Sequence, residues 1–156
     1  MRRSTLGYTA DMRLTRATDL GLRVLMLLGG SRRDVPARAT VAELAEKLNV
    51  PSAHLSKVVQ RLQRLGLVEL ARGRGGGVTL NAGALQARVG MIVRALEPTG
   101  EVVSCAAPPC PLRDGCRLRS LLSTASESFY ATLDAVALED LLNQPSRALL
   151  ALFQAS

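Results

Sequence analysis

The fold of this chain is decided by residues 40–80, TVAELAEKLNVPSAHLSKVVQRLQRLGLVELARGRGGGVTL. Thr40 and Glu43 have the spacing of a capping box, which predicts that a short helix begins here. A turn at residues 49–51 separates it from a second helix, which we expect Ser52 to cap and Gly66 to end. Apolar residues recur every three or four positions along the second helix. Two short helices joined by a tight turn predict a helix-turn-helix.

A hairpin is predicted directly after the second helix. Two β-prone runs, Leu67–Leu70 and Val78–Leu80, flank a glycine-rich segment that carries Arg72 and Arg74. A hairpin in this position is a wing, and arginines at its tip can reach phosphates or a narrow minor groove. The glycines do not open a helix in a nucleotide-binding pattern, so we expect no nucleotide site.

Three further helices are predicted around this unit. The first begins at Thr15 or Thr18 and ends near residue 28, and another short helix covers about residues 87–96. A long amphipathic helix begins near residue 118, and such a helix at the end of a small DNA-binding protein packs against its symmetry mate. Packing within its own chain is the alternative. Its apolar stripe consists of Leu118, Leu121, Leu122, Ala125, Phe129 and Leu133.

The predicted fold class is mainly α: a winged helix-turn-helix with a β-hairpin wing and a long C-terminal dimerisation helix. We expect residues 1–11 to be a disordered extension and residues 12–81 to form the winged domain, whose first helix also contributes to the dimer. A short helix and a cysteine-rich loop occupy residues 82–117. The dimerisation helix and a tail occupy residues 118–156.

The charge of the chain is unevenly distributed. Residues 1–80 contain 14 Lys/Arg and 6 Asp/Glu, whereas residues 81–156 contain 6 and 7. This asymmetry favours a polyanion-binding half joined to a half with another task. We predict that the second helix of the helix-turn-helix faces the major groove of double-stranded DNA, with the wing beside it. The DNA-contacting residues are expected to be Ser52, His54, Ser56, Lys57, Arg72 and Arg74.

The same sequence predicts a cytoplasmic protein. Its arginine-containing N-terminus lacks the apolar region of a signal peptide, and no apolar run approaches the ~18 residues of a membrane span. The three cysteines are then expected to be reduced, because the compartment does not favour disulfides.

All three cysteines lie in one segment, SCAAPPCPLRDGCRL, residues 104–118. Cys105, Cys110 and Cys116 are spaced C-x4-C-x5-C in a proline-containing loop, which predicts a site for a soft metal. Three thiols are one short of the usual four ligands. The single histidine, His54, is better placed to touch DNA. Carboxylates, a hydroxyl, water or a small molecule remain as donors, with Asp114 and Glu101 as the local candidates.

Other chemistry is less well supported by the residues. No thiol or serine is paired with a base, so we do not expect an enzyme. Arg16, Asp19 and Arg23 lie at i, i+3 and i+7 on one stripe of the first helix. From this pattern alone, Asp19 is a partner in a surface salt bridge.

Four segments of the chain resemble the Rrf-two family of bacterial winged-helix regulators, in particular its nitric-oxide-sensing repressors. They are MRLTRATDLGLRVL from residue 12, PSAHLSKVVQRLQRLGLVE from residue 51, ARGRGGGVTL from residue 71 and CAAPPCPLRDGCRLR from residue 105. The resemblance covers residues 12–145. It implies a homodimeric transcriptional repressor that senses nitric oxide and releases its DNA operator when its iron–sulfur cluster is nitrosylated.

The resemblance also implies a ligand set. One 4Fe–4S cluster per subunit is held by Cys105, Cys110, Cys116 and the aspartate of the family motif M-R-L-T-x-x-T-D, donated from the partner subunit. In this chain that aspartate is Asp19. The resemblance thus replaces the salt-bridge interpretation of Asp19 with a metal-ligand role.

Two departures from the family pattern are visible. One branch of the family has a histidine three positions after the last cysteine; Arg119 stands there, so a 2Fe–2S cluster with that histidine is not expected. The first cysteine spacing is four residues rather than the common five. The alternatives are a related redox- or iron-responsive regulator and a small iron–sulfur carrier or assembly protein. The wing and the basic half argue against the carrier.

Overall fold

The computed structural model describes residues 14–30, 38–98, 100, 102–103, 105–106 and 109–143. Five α-helices and one hairpin make up its regular structure, together with 3-10 turns at Ala84–Gln86, Arg113–Gly115 and Leu138–Leu142. The expected extension at residues 1–11 lies outside the described residues, as does the end of the tail beyond residue 143. The helices and strands are α1 (Arg16–Gly29), α2 (Val41–Lys47), α3 (Ser52–Arg64), β1 (Val68–Ala71), β2 (Gly77–Leu80), α4 (Val89–Leu96) and α5 (Arg117–Asp134).

The core is built from aliphatic side chains, as expected for a chain with only two Phe, two Tyr and no Trp. It lies where α1, α2 and α3 meet the base of the hairpin and α4. Burial of each such leucine stabilises the fold by roughly 1.5–3 kcal/mol. The fully buried large side chains include Leu25, Leu44, Leu55, Leu62, Leu96 and Leu138.

The helix starts are mostly as predicted. The hydroxyl of Thr15 accepts the backbone N–H of Thr18 at 3.3 Å, and Thr40 and Glu43 form the expected capping box. The prediction that Ser52 caps α3 is wrong. Pro51 holds the cap position in extended conformation, with φ −60° and ψ 132°, so Ser52 is already the first helical residue. Its hydroxyl is therefore not used by a cap.

Both turns that set the recognition unit depend on a residue with positive φ. Asn49 has φ 52° after α2, and Gly66 has φ 70° after α3. After α3, Gly66 N–H donates to the carbonyl of Gln63 at 2.9 Å and Leu67 N–H to that of Leu62 at 3.0 Å, a Schellman motif. This motif turns the chain from α3 directly into β1.

The wing is confirmed as an antiparallel hairpin in which Val68 pairs with Leu80 and Ala71 with Gly77. A third segment, which the sequence did not reveal, lies beside it: Ala39 forms a β-bridge with Val78. The two backbone hydrogen bonds of this bridge measure 2.8 and 3.2 Å. One bridging residue in a polar segment gives no alternating pattern, which explains why it was missed.

The chain returns to the core after α5. The backbone N–H of Val89 donates to the carbonyl of Val136, and that of Leu138 to the carbonyl of Ala87, both at 2.9 Å. Leu138 is fully buried against α1 and its neighbours. The segment 136–142, predicted from the sequence to belong to the dimerisation helix and tail, therefore packs on the winged unit.

Candidate nucleic-acid interface and metal centre

Helix α3 has one face in the core and one in solvent. Its buried face consists of Leu55, Val58, Val59 and Leu62. On the other face, Ser52, His54 and Lys57 are exposed and Ser56 is half-buried. The four residues predicted to read DNA therefore lie within the first two turns of α3, on its accessible side. Neither the histidine nor the serines are used in packing the core.

The wing tip presents the other two predicted DNA contacts. Arg72 and Arg74 are both exposed. Gly73 and Gly75 have φ values of 89° and 76°, which residues with a side chain rarely adopt. A side chain on Gly76 would collide with the carbonyl of Ala71. The glycines therefore permit the tight path that exposes the two arginines. Residues 51–80 contain five Lys/Arg and only one acidic residue. Helix α3 and the wing therefore form one basic face.

The three cysteines are free thiols in the described part of the loop. Cys105 is buried, with 9 % of its surface exposed, while Cys110 and Cys116 are half-buried. The backbone N–H of Cys110 donates to the carbonyl of Cys105 at 3.2 Å, which folds the first two cysteines into one turn. Cys116 occupies the N-cap of α5, and a helix N-terminus favours the negative charge of thiolate ligands.

No three His, Cys, Asp or Glu side chains among the described residues converge closely enough to hold a metal ion. The donor set nevertheless fits a cluster chemically, because three unpaired thiols lie within twelve positions of one loop. The described part of a single chain thus offers thiolate donors without a closed coordination shell.

Cys116 also lines a cleft of about 640 Å³, together with residues of α5 and with Gly100, Val102 and Val103. Val102 and Val103 form part of one wall, and the polar side of the cleft includes Arg113, Asp114 and Arg117. A small molecule in this cleft would therefore lie beside Cys116.

Asp19 lies in the first turn of α1 and pairs with Arg23, with 2.8 Å between Oδ1 and Nε. The side chains are 46 % and 60 % exposed, so the pair contributes little to stability, about 0.3–0.5 kcal/mol. The i, i+4 salt bridge suggested by the sequence is thus present, and the carboxylate remains accessible to a partner. Asp114 is exposed, and Glu101 lies outside the described residues.

The end of α4 makes two hydrogen bonds, one to the start of α1 and one to α3, that sequence patterns did not indicate. The carboxylate of Glu97, just after α4, accepts the backbone N–H of Thr15 at 2.8 Å. On α3, Arg61 Nη2 donates to the carbonyl of Ala95 at 2.9 Å. Contacts between residues 34 and 82 positions apart leave no periodic signal in a single sequence. The end of α4 is thereby fixed both to the start of α1 and to the recognition helix.

Helix α5 contacts its own chain through one side. Arg94 of α4 donates to the carboxylate of Glu127 at 3.2 and 3.4 Å and stacks on the ring of Tyr130, 4.0 Å from its centre. No residue of α5 is buried in the single chain, and Leu118 and Leu121 remain 58 % and 66 % exposed. The start of the predicted apolar stripe is therefore left uncovered by the described part of this chain, whereas Leu122, Phe129 and Leu133 are half-buried.

Fold and surface together define a winged-helix DNA-binding protein. The sequence profile of the Rrf2 family, described as iron-dependent transcriptional regulators, matches residues 14–144. The chain therefore belongs to the Rrf2 family. Because this is a family of transcriptional regulators, the expectation that the chain is not an enzyme is confirmed.

Individual relatives agree with this assignment. The chain is 49 % identical over 136 residues to the HTH-type transcriptional repressor NsrR of Streptomyces coelicolor, covering 86 % of this chain and 91 % of that protein. Staphylococcus aureus CymR has the same fold, with a TM-score of 0.61, 22 % identity and coverage of 81 % and 95 %. T. potens IscR aligns with a TM-score of 0.63, 20 % identity and coverage of 85 % and 88 %. Among the helices in the described ranges, none has the length and apolar character needed to cross a membrane.

Proposed function

We propose that this protein is a cytoplasmic transcriptional repressor that binds operator DNA as a homodimer and releases it in response to nitric oxide. One 4Fe–4S cluster per subunit would be held by Cys105, Cys110, Cys116 and Asp19 of the other subunit. The carrying observation is the combination, in one chain, of a basic wing-bearing helix-turn-helix and a loop with three free thiols.

DNA recognition is assigned to the exposed side of α3 and to the wing. The N-terminal half of a recognition helix is the part that reaches base edges, and the accessible Ser52, His54, Ser56 and Lys57 lie there. Arg72 and Arg74 supply positive charge to the adjacent phosphates or minor groove. The family and its relatives support this role for the basic face.

The metal-binding role rests on the thiols and on the resemblance around Asp19. When bound, a 4Fe–4S cluster supplies iron that reacts with nitric oxide. The residues of the chain provide three thiolates and one carboxylate oxygen, which is the weaker ligand beside sulfur. Asp19 is supported by its accessible carboxylate, which is 46 % exposed in the single chain. The cleft beside Cys116 would let a diatomic molecule approach that cysteine.

Dimerisation is assigned to α5. Its inner side is held to α4 by Arg94, which leaves the stripe with Leu118 and Leu121 facing outward. A second copy is the proposed partner for this stripe, because a twofold operator needs two winged heads at a fixed spacing. An aspartate from the start of α1 that ligates across this dimer would link the winged head of one subunit to the thiols of the other.

The link to DNA affinity follows the two hydrogen bonds at the end of α4. Glu97 holds the N–H of Thr15 one turn before Asp19, and Arg61 holds α3 to Ala95. A change in the position of Asp19 is therefore transmitted to the recognition helix through contacts within one subunit. Without the cross-subunit ligand, the two winged heads would no longer be held at a fixed distance from one another.

Anaerobic purification followed by native mass spectrometry tests the proposal. We expect a coloured dimer with two clusters, which binds a duplex selected by this protein from random sequences and loses it as nitric oxide is added. A matched Cys116→Ser variant should be unresponsive. A colourless, metal-free dimer that binds the duplex equally with and without nitric oxide would overturn the proposal. Titration with oxygen and with an iron chelator distinguishes the nitric oxide sensor from the alternative, a redox- or iron-responsive regulator. The alternative predicts that these reagents, and not nitric oxide, release the duplex.

A further inference from the structure

The wing carries two proposed DNA contacts, yet little in the hairpin itself would hold its tip in place. Each strand has only four residues, and four glycines lie between Arg72 and Val78. A two-stranded hairpin is marginally stable alone. Other parts of the chain must therefore determine where the arginines point.

The base of the wing is fixed by Asn81. Its Nδ2 donates to the carbonyl of Gly66 at 2.6 Å, and its backbone N–H donates to the carbonyl of Leu67 at 3.1 Å. These bonds join the end of β2 to the turn that ends α3. They act far from the tip, where Gly73 and Gly75 adopt positive φ.

The tip is held from a different segment. Arg38 Nη1 donates a hydrogen bond to the carbonyl of Gly75. The β-bridge between the next residue, Ala39, and Val78 places Arg38 alongside β2. Its stem runs so close to the hairpin that a methyl group on Gly77 would lie 2.8 Å from Arg38 Cγ. Arg38 is exposed, so its side chain does not contribute to the packing of the core.

We infer that Arg38 is a positioning residue for DNA binding: it fixes the wing tip through the Gly75 carbonyl, so that Arg72 and Arg74 meet DNA already ordered. The inference rests on the proposed DNA-binding role of the wing. An ordered tip avoids the loss of side-chain and loop freedom that a mobile tip undergoes on binding. The positive charge of Arg38 adds to the same basic face, but its effect on affinity depends on the two wing arginines.

A double-mutant cycle on the full-length, anaerobically purified protein tests this dependence. Arg38→Met keeps the apolar stem and removes the donor and the charge. It is measured in the parent wing and in an Arg72→Ala/Arg74→Ala wing, by the dissociation constant for a selected operator duplex. Arg88→Met is the matched control, because Arg88 is an exposed arginine outside the wing.

In the parent wing, Arg38→Met should weaken binding about three- to tenfold, because the tip must then be ordered on binding. In the wing without arginines it should weaken binding by less than about twofold, since residues that act as one unit are not additive. Arg88→Met should leave affinity unchanged in both backgrounds. Equal losses in the two backgrounds would overturn the inference, because an independent phosphate contact or a general destabilisation would act equally in both.

The salt dependence separates failure of this inference from failure of the proposed function. Removal of both wing arginines should flatten the slope of log affinity against log salt by about two units if each contacts a phosphate. If that double variant binds like the parent, the proposed role of the wing fails. If it binds more weakly and Arg38→Met has no effect in the parent wing, only the positioning role of Arg38 fails.

Discussion

Glu97 Oε1 lies 2.8 Å from the backbone nitrogen of Thr15, so the residue that follows α4 holds the first turn of α1. Asp19 lies in that turn, and the chain beyond Glu97 leads into the cysteine loop. This hydrogen bond therefore links, within one subunit, the start of the helix that carries Asp19 to the segment that leads into the cysteine loop. The same end of α4 contacts the recognition helix through Ala95 and Arg61.

Replacement of Glu97 should loosen the start of α1. Glu97→Ala removes the acceptor for the N–H of Thr15, and we expect faster amide hydrogen exchange in residues 15–19. Glu97→Gln keeps a carbonyl oxygen in the same place and should remain close to the parent. Equal protection of this turn in the alanine variant and the parent would show that the contact does not hold α1.

The turn between α3 and the wing should be sensitive to a single methyl group. Gly66 has φ +70°, so Gly66→Ala should reduce the free energy of unfolding by about 1–2 kcal/mol, although nothing lies within 4 Å of the new carbon. Gly83→Ala is the matched control, because Gly83 also has open space but φ −89°. Its change should stay within about 0.5 kcal/mol. Urea unfolding measures both, and equal effects would contradict the backbone argument.

The exposed stripe of α5 should control the oligomeric state. Leu118→Glu combined with Leu121→Glu places two charges where the proposed partner helix packs, and we expect a monomer by light scattering. Far-ultraviolet circular dichroism should be unchanged, because both side chains are exposed in the single chain. Ala131→Glu, an exposed position on another side of α5, should remain dimeric. A dimeric double variant would place the interface elsewhere.

The capping box of α2 predicts a pH dependence. Hydrogen bonds from the backbone and then the hydroxyl of Thr40 lower the pKa of Glu43 below its ordinary 4.5, and nearby Lys47 lowers it further. Because the folded-state pKa is below the unfolded one, this stabilisation is present above about pH 4.5 and is lost as the pH falls through the folded value. Glu43→Gln should therefore reduce the free energy of unfolding most at pH 7 and least at pH 3, as measured by urea unfolding. An effect of Glu43→Gln on the free energy of unfolding that is the same at both pH values would contradict this prediction.

Local signals predicted much of the winged unit. The Thr40–Glu43 spacing, Gly66 and the two β-prone runs act within a few residues, and the structure confirms the elements they predict. The Ser52 cap was mispredicted because Pro51 takes the cap position. The Ala39 bridge, the return of Leu138 to the core, and the contacts of Arg61 and Arg38 all join distant segments, where no period in one sequence applies. The thiols were evident from their clustering, whereas the role proposed for Asp19 came from the family resemblance.

Each cluster is proposed to be shared between two subunits, and two mixed dimers test this sharing. In the first, one subunit carries Asp19→Ala and the other carries serine at all three cysteine positions. In the second, both changes are in one subunit and the other is unchanged. The Asp19→Ala homodimer and an Asp114→Ala homodimer serve as references for a labile and an intact site.

The measurement is the rate at which a chelator removes the single remaining cluster, followed by native mass spectrometry without oxygen. If Asp19 acts across the dimer, the first mixed dimer should keep its cluster like the parent, and the second should lose it like the Asp19→Ala homodimer. The reverse order would place Asp19 beside the cysteines of its own subunit. Parent-like retention in the Asp19→Ala homodimer would contradict its role as a ligand altogether.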